Sequence, residues 1–444
     1  VDYLTNPGIG WQDGPEPFGF MYFPETVAYS NRREIGWSVL NPDPGTFEWL
    51  ALDQQLEQAV QSGKQFSFRV YTYVGEDYDG HMFPEWVLDV GAVFLPSGEP
   101  DYSNCTYQEQ WGKFVDELGR VYDGNPNIAF IDISGYGNFN EWSWQDEQTE
   151  WDTRWEDDYV NGNASAVSFE SLDGQARRRL ADMFIGGSFQ GHSCRTSNGD
   201  IIQVDYSYQG FQKTQLVMPY AGIVQSTQYV FTRKNDVGFR YDCLGREGER
   251  VLEKVGNEIS RIWQKAPVVF ELCKPDEVDI EDARLLLRTS HGSVVHNNNW
   301  KYSYEQLEDL MLKSGYRYFL KQAVLKVEDG QIILQMEWQN PGSAPNYPKM
   351  GQDFTLHFYL MNTMGEPKLD QAIQADISTW HPSNDESVVY YVISETIPLP
   401  FTLKDGDYYA GVSILDTRTG LPINLAFGGR DRNGINILFP VTIK

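Results

Sequence analysis

Cysteine and histidine are scarce in this chain, and their scarcity removes several functions. The four cysteines, Cys105, Cys194, Cys243 and Cys273, stand singly with no C-x-x-C spacing. Neither a zinc site nor a disulfide framework is indicated, although there is room for one disulfide. Only 6 histidines occur, none in ligand spacing, so metal-dependent chemistry is the lesser expectation and we expect no metal and no cofactor. No run approaches the ~18 consecutive apolar residues that span a bilayer. Positive charge is also short: 35 basic residues face 63 acidic ones, a net charge of −28. That surface repels nucleic acid, anionic membrane and polyanionic polymers, and favours a neutral partner. The chain opens on Val1-Asp2-Tyr3 rather than a charged, then apolar, leader. We therefore expect a mature chain, secreted or periplasmic, with the cytoplasm as the alternative.

Aromatic side chains are plentiful. They make up 14% of the chain, with 13 Trp and 26 Tyr, and flat aromatic faces are what sugar rings pack against, although many must serve the core.

Short apolar runs alternate with helix-period segments up to about residue 315, the pattern of a parallel sheet with crossover helices. Leu52, Leu56, Ala59 and Val60 share a helical face, Gly63 stops the helix, and 64–71 reads as a strand. The unit recurs at Trp111, Phe114, Val115, Leu118 and Val121, followed by the buried run Ile128–Ile133. Further strands are expected at 216–219, 237–241, 268–272 and 293–296, with helices around 249–265, 281–289 and 304–313. Adding 9–11 and 35–39 at the front gives eight strands, the number a closed (β/α)8 barrel requires. A doubly wound sheet is disfavoured because no Gly-rich phosphate fingerprint follows the first strand. After Gly315, period-2 runs joined by Asp329-Gly330, and the Asp-Gly at 405–406, are hairpin signals. The chain thus reads as a barrel over 1–315 and an antiparallel β-sandwich over 316–444.

Barrel enzymes carry their chemistry at the C-terminal strand ends. Two carboxylic acids stand there: Glu141, beyond the fourth strand in Ser134-Gly135-Tyr136-Gly137-Asn138-Phe139-Asn140-Glu141-Trp142, and Glu271, ending the seventh in Val268-Val269-Phe270-Glu271. Glycoside hydrolysis needs one carboxyl kept protonated and one kept ionised. Apolar neighbours Phe139, Trp142 and Trp144 suit Glu141 to the first role. Glu271 would need partners such as Arg69 or Tyr241 for the second.

Asn140-Glu141 after strand four, with a glutamate ending strand seven, resembles clan A of the glycoside hydrolases, of which the family 42 β-galactosidases are one branch. The stretch 37–49, Trp-Ser-Val-Leu-Asn-Pro-Asp-Pro-Gly-Thr-Phe-Glu-Trp, resembles a segment of family 42-like barrels. Gly315-Tyr316-Arg317-Tyr318 and 338–345 resemble the DUF4832 domain found behind such barrels. The resemblance implies Glu141 as acid/base, Glu271 as nucleophile and Asn140 as a partner of the substrate 2-hydroxyl. It also implies a tyrosine near the nucleophile, here Tyr241, and a tryptophan flooring the sugar subsite after strand eight, here Trp300, with His296 beside it. Asp242 is the fallback nucleophile.

Arg69 is expected to touch substrate or, more often for a strand-end arginine, to pair with a neighbouring carboxylate. Trp142 and Trp144 open a Trp-rich, acidic loop that reads either as a sugar-stacking platform or as a loop folded on its own aromatics. Asn104-Cys105-Thr106 and Asn163-Ala164-Ser165 fit the glycosylation triplet, a pattern frequent by chance. The expected function is a retaining hydrolase of β-linked sugars, β-galactosides or galactan fragments favoured. The alternatives are a carbohydrate-binding protein on an inactive barrel, which needs neither glutamate, and a sugar lyase or isomerase, which would show metal ligands or a Lys, His or Tyr base.

Overall fold

In the computed structural model, residues 3–444 are described apart from 13–22, 31–33, 76–81, 96–97, 144–168, 221–223, 247–250, 297–301, 384–387 and 431–432, and apart from the side chains of 224 and 251–254. Eight parallel strands close into a barrel: β1 (Gly10–Gln12), β2 (Glu25–Tyr29), β3 (Gln65–Phe68), β4 (Ile128–Asp132), β7 (Leu216–Tyr220), β8 (Gly238–Tyr241), β9 (Val268–Glu271) and β10 (Gly292–His296). Between β4 and β7 the chain inserts an antiparallel hairpin, β5 (Gly187–Arg195) and β6 (Ile201–Tyr208). β1 pairs with both β2 and β10, which completes the ring.

The second strand is not where the sequence placed it. Residues Trp37–Leu40 form one helical turn, and Gly36 keeps only a single parallel bridge to Tyr71; the strand is the earlier run Glu25–Tyr29. The Trp37 ring is fully buried against Tyr107, Trp111 and Phe114. Packing over the helix layer, not pairing within the sheet, therefore decides this segment's conformation. Helices at Val251–Ile262, Ile280–Thr289 and Tyr304–Lys313 fall where the apolar periodicity predicts. The last is closed by a capping box between Ser303 and Gln306.

Beyond the barrel, β11 (Phe319–Glu328), β12 (Gln331–Gln339) and β15 (Tyr391–Pro398) form one antiparallel sheet. The other contains β13 (Phe354–Met361), β14 (Pro367–Ile373), β16 (Gly406–Asp416) and β17 (Asn436–Ile443). Alternate residues of β12, β13 and β16 meet between the two sheets: Ile332, Leu334, Met336 and Trp338 face Leu356, Phe358, Ala410 and Val412. Asp329 and Gly330, both at positive φ (50° and 72°), turn β11 into β12, as a two-residue hairpin loop requires. Asp405-Gly406 makes no such hairpin. It leads into β16, which lies in the opposite sheet from β15.

The segment between β12 and β13 reaches under the barrel. Ala344, Tyr347 and Met350 pack against interior residues Val27, Phe130, Val217, Val269 and Val294. The Tyr347 hydroxyl donates to the Trp263 carbonyl at 2.6 Å, and Gln65 donates to the Met350 carbonyl. Apolar side chains thus floor the barrel at its N-terminal end.

Two disulfides, Cys105–Cys194 and Cys243–Cys273, take up all four cysteines. The sequence left room for one. Pairing partners 89 and 30 residues apart leave no spacing signature, because the fold alone brings them together. Asn104 is fully buried as the cap of the helix Cys105–Tyr122, its side chain accepting from the Tyr107 N–H at 2.9 Å, so its glycosylation triplet is closed. Asn163 lies outside the described residues.

Candidate active site

Side chains alternate across a strand, so each barrel strand sends every second residue inward. At the lower level those residues are apolar: Val27, Phe130, Val217, Val269 and Val294. Two residues further along the strands, the inward positions become Tyr29, Asp132, Glu271 and His296, joined by Arg69 just beyond β3 and Arg240 from β8. The top layer of the barrel interior is therefore polar and ionic. The intervening residues Phe68, Ile131, Phe239, Tyr241, Phe270 and Val295 face the helices.

Glu141 enters this layer from the loop after β4. The loop holds three non-glycine residues at positive φ, Phe139 (52°), Asn140 (55°) and Trp142 (59°), and two glycines, Gly135 and Gly137. A Cβ on Gly135 would stand 2.3 Å from the Trp111 ring nitrogen. Left-handed backbone at bulky residues costs of order 1–3 kcal/mol each and persists only where the surroundings impose it. Here its effect is to turn Trp142 inward and leave the Glu141 carboxyl at the mouth, 23% exposed.

Arg69 Nη1 donates to Glu141 Oε1 at 3.0 Å and to the Phe139 carbonyl, while its Nε donates to Asp132 Oδ2 at 3.1 Å. Arg240 Nη2 donates to Glu271 Oε2 at 2.6 Å, and its Nη1 lies 3.6 Å from Asp132 Oδ2. His296 Nδ1 stands 3.3 Å from Glu271 Oε2 and 3.0 Å from Arg240 Nη2. Asp242, immediately after β8, takes the Arg240 Nε at 3.3 Å. Oxygens of Glu141, Asp242 and Glu271 all lie within 4.8 Å of one another.

The two glutamates feel different surroundings. Burial pushes the Glu141 carboxyl up to about 7, with Arg69 opposing and Glu271 adding to the rise. Burial raises Glu271 too, but it is outweighed by the His296 hydrogen bond and the Arg240 charge, which hold it far below the usual carboxylate range. Burial, together with the charges of Glu141 and Glu271, raises Asp242 well above that range. His296 is lowered by burial, against the pull of Glu271, and so favours a neutral ring. Glu141 and Asp242 thus favour the protonated form beside an ionised Glu271, and the Glu141–Glu271 pair has the division that acid-assisted displacement needs.

Glu141, Asp242 and Glu271 are also the group of three acids, among the described residues, that could share a cation. Arg69 donates to Glu141 Oε1 and Arg240 to Glu271 Oε2, so two of the three acids already hold a guanidinium partner.

Several expected site residues sit elsewhere. Arg69 is buried and pairs with Asp132 of the neighbouring strand, the outcome favoured for a strand-end arginine, and its second partner is Glu141 rather than Glu271. Tyr241 is buried on the helix side, edge-on to Phe270, because its neighbour Arg240 takes the inward position. Asn140 is buried with its amide spanning Thr72: Oδ1 accepts the Thr72 N–H at 2.7 Å and Nδ2 donates to the Thr72 hydroxyl at 2.9 Å. It fastens the loop instead of facing the cleft. Trp142 is fully buried, stacked on Tyr136, with its ring N–H donated to the Ile133 carbonyl at 2.9 Å; it offers no face to a sugar. His296 belongs to the site as a partner of Glu271. Trp144, Trp300 and the acids between 146 and 158 lie outside the described residues. Arg240 and Asp132 were not anticipated. The available signal was a lone charged residue inside an otherwise buried strand run, Ile131-Asp132-Ile133 and Phe239-Arg240-Tyr241.

No family model matches this chain, and no curated protein matches it. Solved structures with some likeness include the β-galactosidase from the psychrophilic Marinomonas ef1, at 12% identity and a TM-score of 0.35, covering 63% of this chain and 50% of that one. Native xylanase 10B from Thermotoga maritima is another, at 9% identity and a TM-score of 0.31, covering 63% and 76%. The chain spans about half the length of the β-galactosidase. Likeness this slight says nothing about activity.

Proposed function

We propose that this protein is a retaining glycoside hydrolase of β-linked sugars, with Glu141 as acid/base and Glu271 as nucleophile. The observation that carries the reading is the approach of these two carboxylates, oxygens within 4.8 Å, across the mouth of the barrel. Oxygens this close are compatible with the about 5–5.5 Å between carboxyl groups used in double displacement. Glu271, ionised by Arg240 and His296, attacks the anomeric carbon while Glu141 delivers its proton to the leaving oxygen. Glu141, now anionic and held by Arg69, then takes a proton from the water that releases the sugar. β-Galactosides or galactan fragments are the substrates we favour, on the resemblance of the strand-end motifs, and a neutral polymer fits the acidic surface.

Azide rescue tests both roles at once. In Glu141→Ala, azide replaces the activated water and yields a β-glycosyl azide from a β-glycoside. In Glu271→Ala, azide replaces the nucleophile and yields at most the α-azide. Anomers found the other way round would exchange the roles, and an unchanged turnover in Glu271→Ala would remove the function.

A further inference from the structure

We infer that Asp132 is the positioning residue that divides the labour between the two glutamates, an inference resting on the roles just proposed. Asp132 is fully buried at the end of β4. It is the acid that pairs with both arginines of the site, among the described residues. The pairing is lopsided. Oδ2 lies 3.1 Å from Nε and 3.0 Å from Nη2 of Arg69, but 3.6 Å from Nη1 of Arg240.

Charge interactions weaken with distance and are strong where water is excluded. Asp132 therefore cancels much of the Arg69 charge that would otherwise ionise Glu141, and leaves more of the Arg240 charge to Glu271. Each glutamate is held by an arginine, and Glu271 has the His296 contact besides; the lopsided Asp132 pairing adds to that difference by weakening the pull on Glu141. Among the described residues, the other ionisable groups that act on Glu141 include Arg240 from β8, Asp242 just after it, Glu271 from β9 and Tyr71 beyond β3, with His296 from β10 beside Glu271. None of the acids among them pairs with Arg69 in the described structure. The Tyr29 hydroxyl donates to the same Asp132 oxygen at 2.9 Å and so moderates its charge.

The test reads Glu141 without any substrate. Protein labelled with 13C at the glutamate carboxyl carbon is titrated by NMR, and the Glu141 signal is assigned by its loss in Glu141→Gln. The wild-type midpoint is expected at about 7. Asp132→Asn keeps the shape and removes the charge, so Arg69 acts on Glu141 unopposed and the midpoint falls by about one unit. Tyr29→Phe removes a donor from Oδ2, strengthens the Asp132 charge and raises the midpoint. Circular dichroism checks the fold of each variant; if Asp132→Asn does not fold, Tyr29→Phe decides alone. A midpoint at or above wild type in Asp132→Asn, or at or below it in Tyr29→Phe, overturns the inference. Turnover of aryl β-glycosides by Glu271→Gln is measured in parallel. Activity retained there defeats the glycosidase reading, while the titration still decides the role of Asp132.

Discussion

Cys243 is bonded to Cys273, and the bond falls one residue beyond Asp242 and two beyond Glu271. The ends of the sixth and seventh barrel strands are thereby joined at the mouth, where Leu244 N–H also donates to the Glu271 carbonyl at 2.8 Å. Cys105–Cys194 instead ties the hairpin β5–β6 to a helix on the outside.

The two bonds should therefore separate stability from turnover. Closing loops of 30 and 89 residues stabilises by about 3–5 kcal/mol each in the chain-entropy view, the longer loop more. Cys105→Ser/Cys194→Ser should lower the denaturation midpoint with kcat little changed. Cys243→Ser/Cys273→Ser should lower both, because Glu271 loses its neighbouring tether. Denaturant melts and steady-state kinetics on each pair check this; an unaltered kcat in the second pair would show that the strands hold Glu271 unaided.

The pH profile follows from the opposite displacement of the two carboxyls. Activity needs Glu141 protonated, so kcat/KM should fall as pH rises through about 7. It needs Glu271 ionised, and since that group lies far below its ordinary range, no acid limb should appear above about pH 4.5. An acid limb between about pH 5 and 6 would mean that a different group acts as nucleophile.

Arg240 should control that missing limb. In Arg240→Gln, Glu271 loses its 2.6 Å partner while its burial remains, so the carboxylate becomes easier to protonate. The acid limb should rise into the measurable range, and kcat/KM at neutral pH should drop by about 10²-fold or more. A profile identical to wild type would relieve Arg240 of this role.

Trp142 should behave as a core residue. Trp142→Phe removes the bond to the buried Ile133 carbonyl and part of the packing on Tyr136, costing about 1–3 kcal/mol. KM should stay where it was. A KM several-fold higher at unchanged stability would return Trp142 to the sugar subsite.

How much of this could be read beforehand depends on the range over which each signal acts. Glu141 and Glu271 could be singled out because Glu271 ends an apolar strand run and Glu141 stands in the loop that follows another, and the helices 280–289 and 304–313 because their periodicity is local. Glu25–Tyr29 was missed in favour of 35–39, since a buried tryptophan on a helical turn looks like strand composition until its packing partners are known. Asp132 and Arg240, 108 positions apart, announce nothing singly; each is a charge in an apolar run, and only barrel closure pairs them. Asn140 and Trp142 misled for a conformational reason. Left-handed backbone at 139, 140 and 142 aims their side chains opposite to what the linear order suggests.

The turn at 344–350 lends its side chains to the underside of the barrel, and Tyr347 completes an interior begun by strands hundreds of positions earlier. Inheritance and engineering must then treat the two halves as one unit. A barrel cut free at residue 315 would expose an unlined base to water, and a β region grafted elsewhere would carry a plug with nothing to fill.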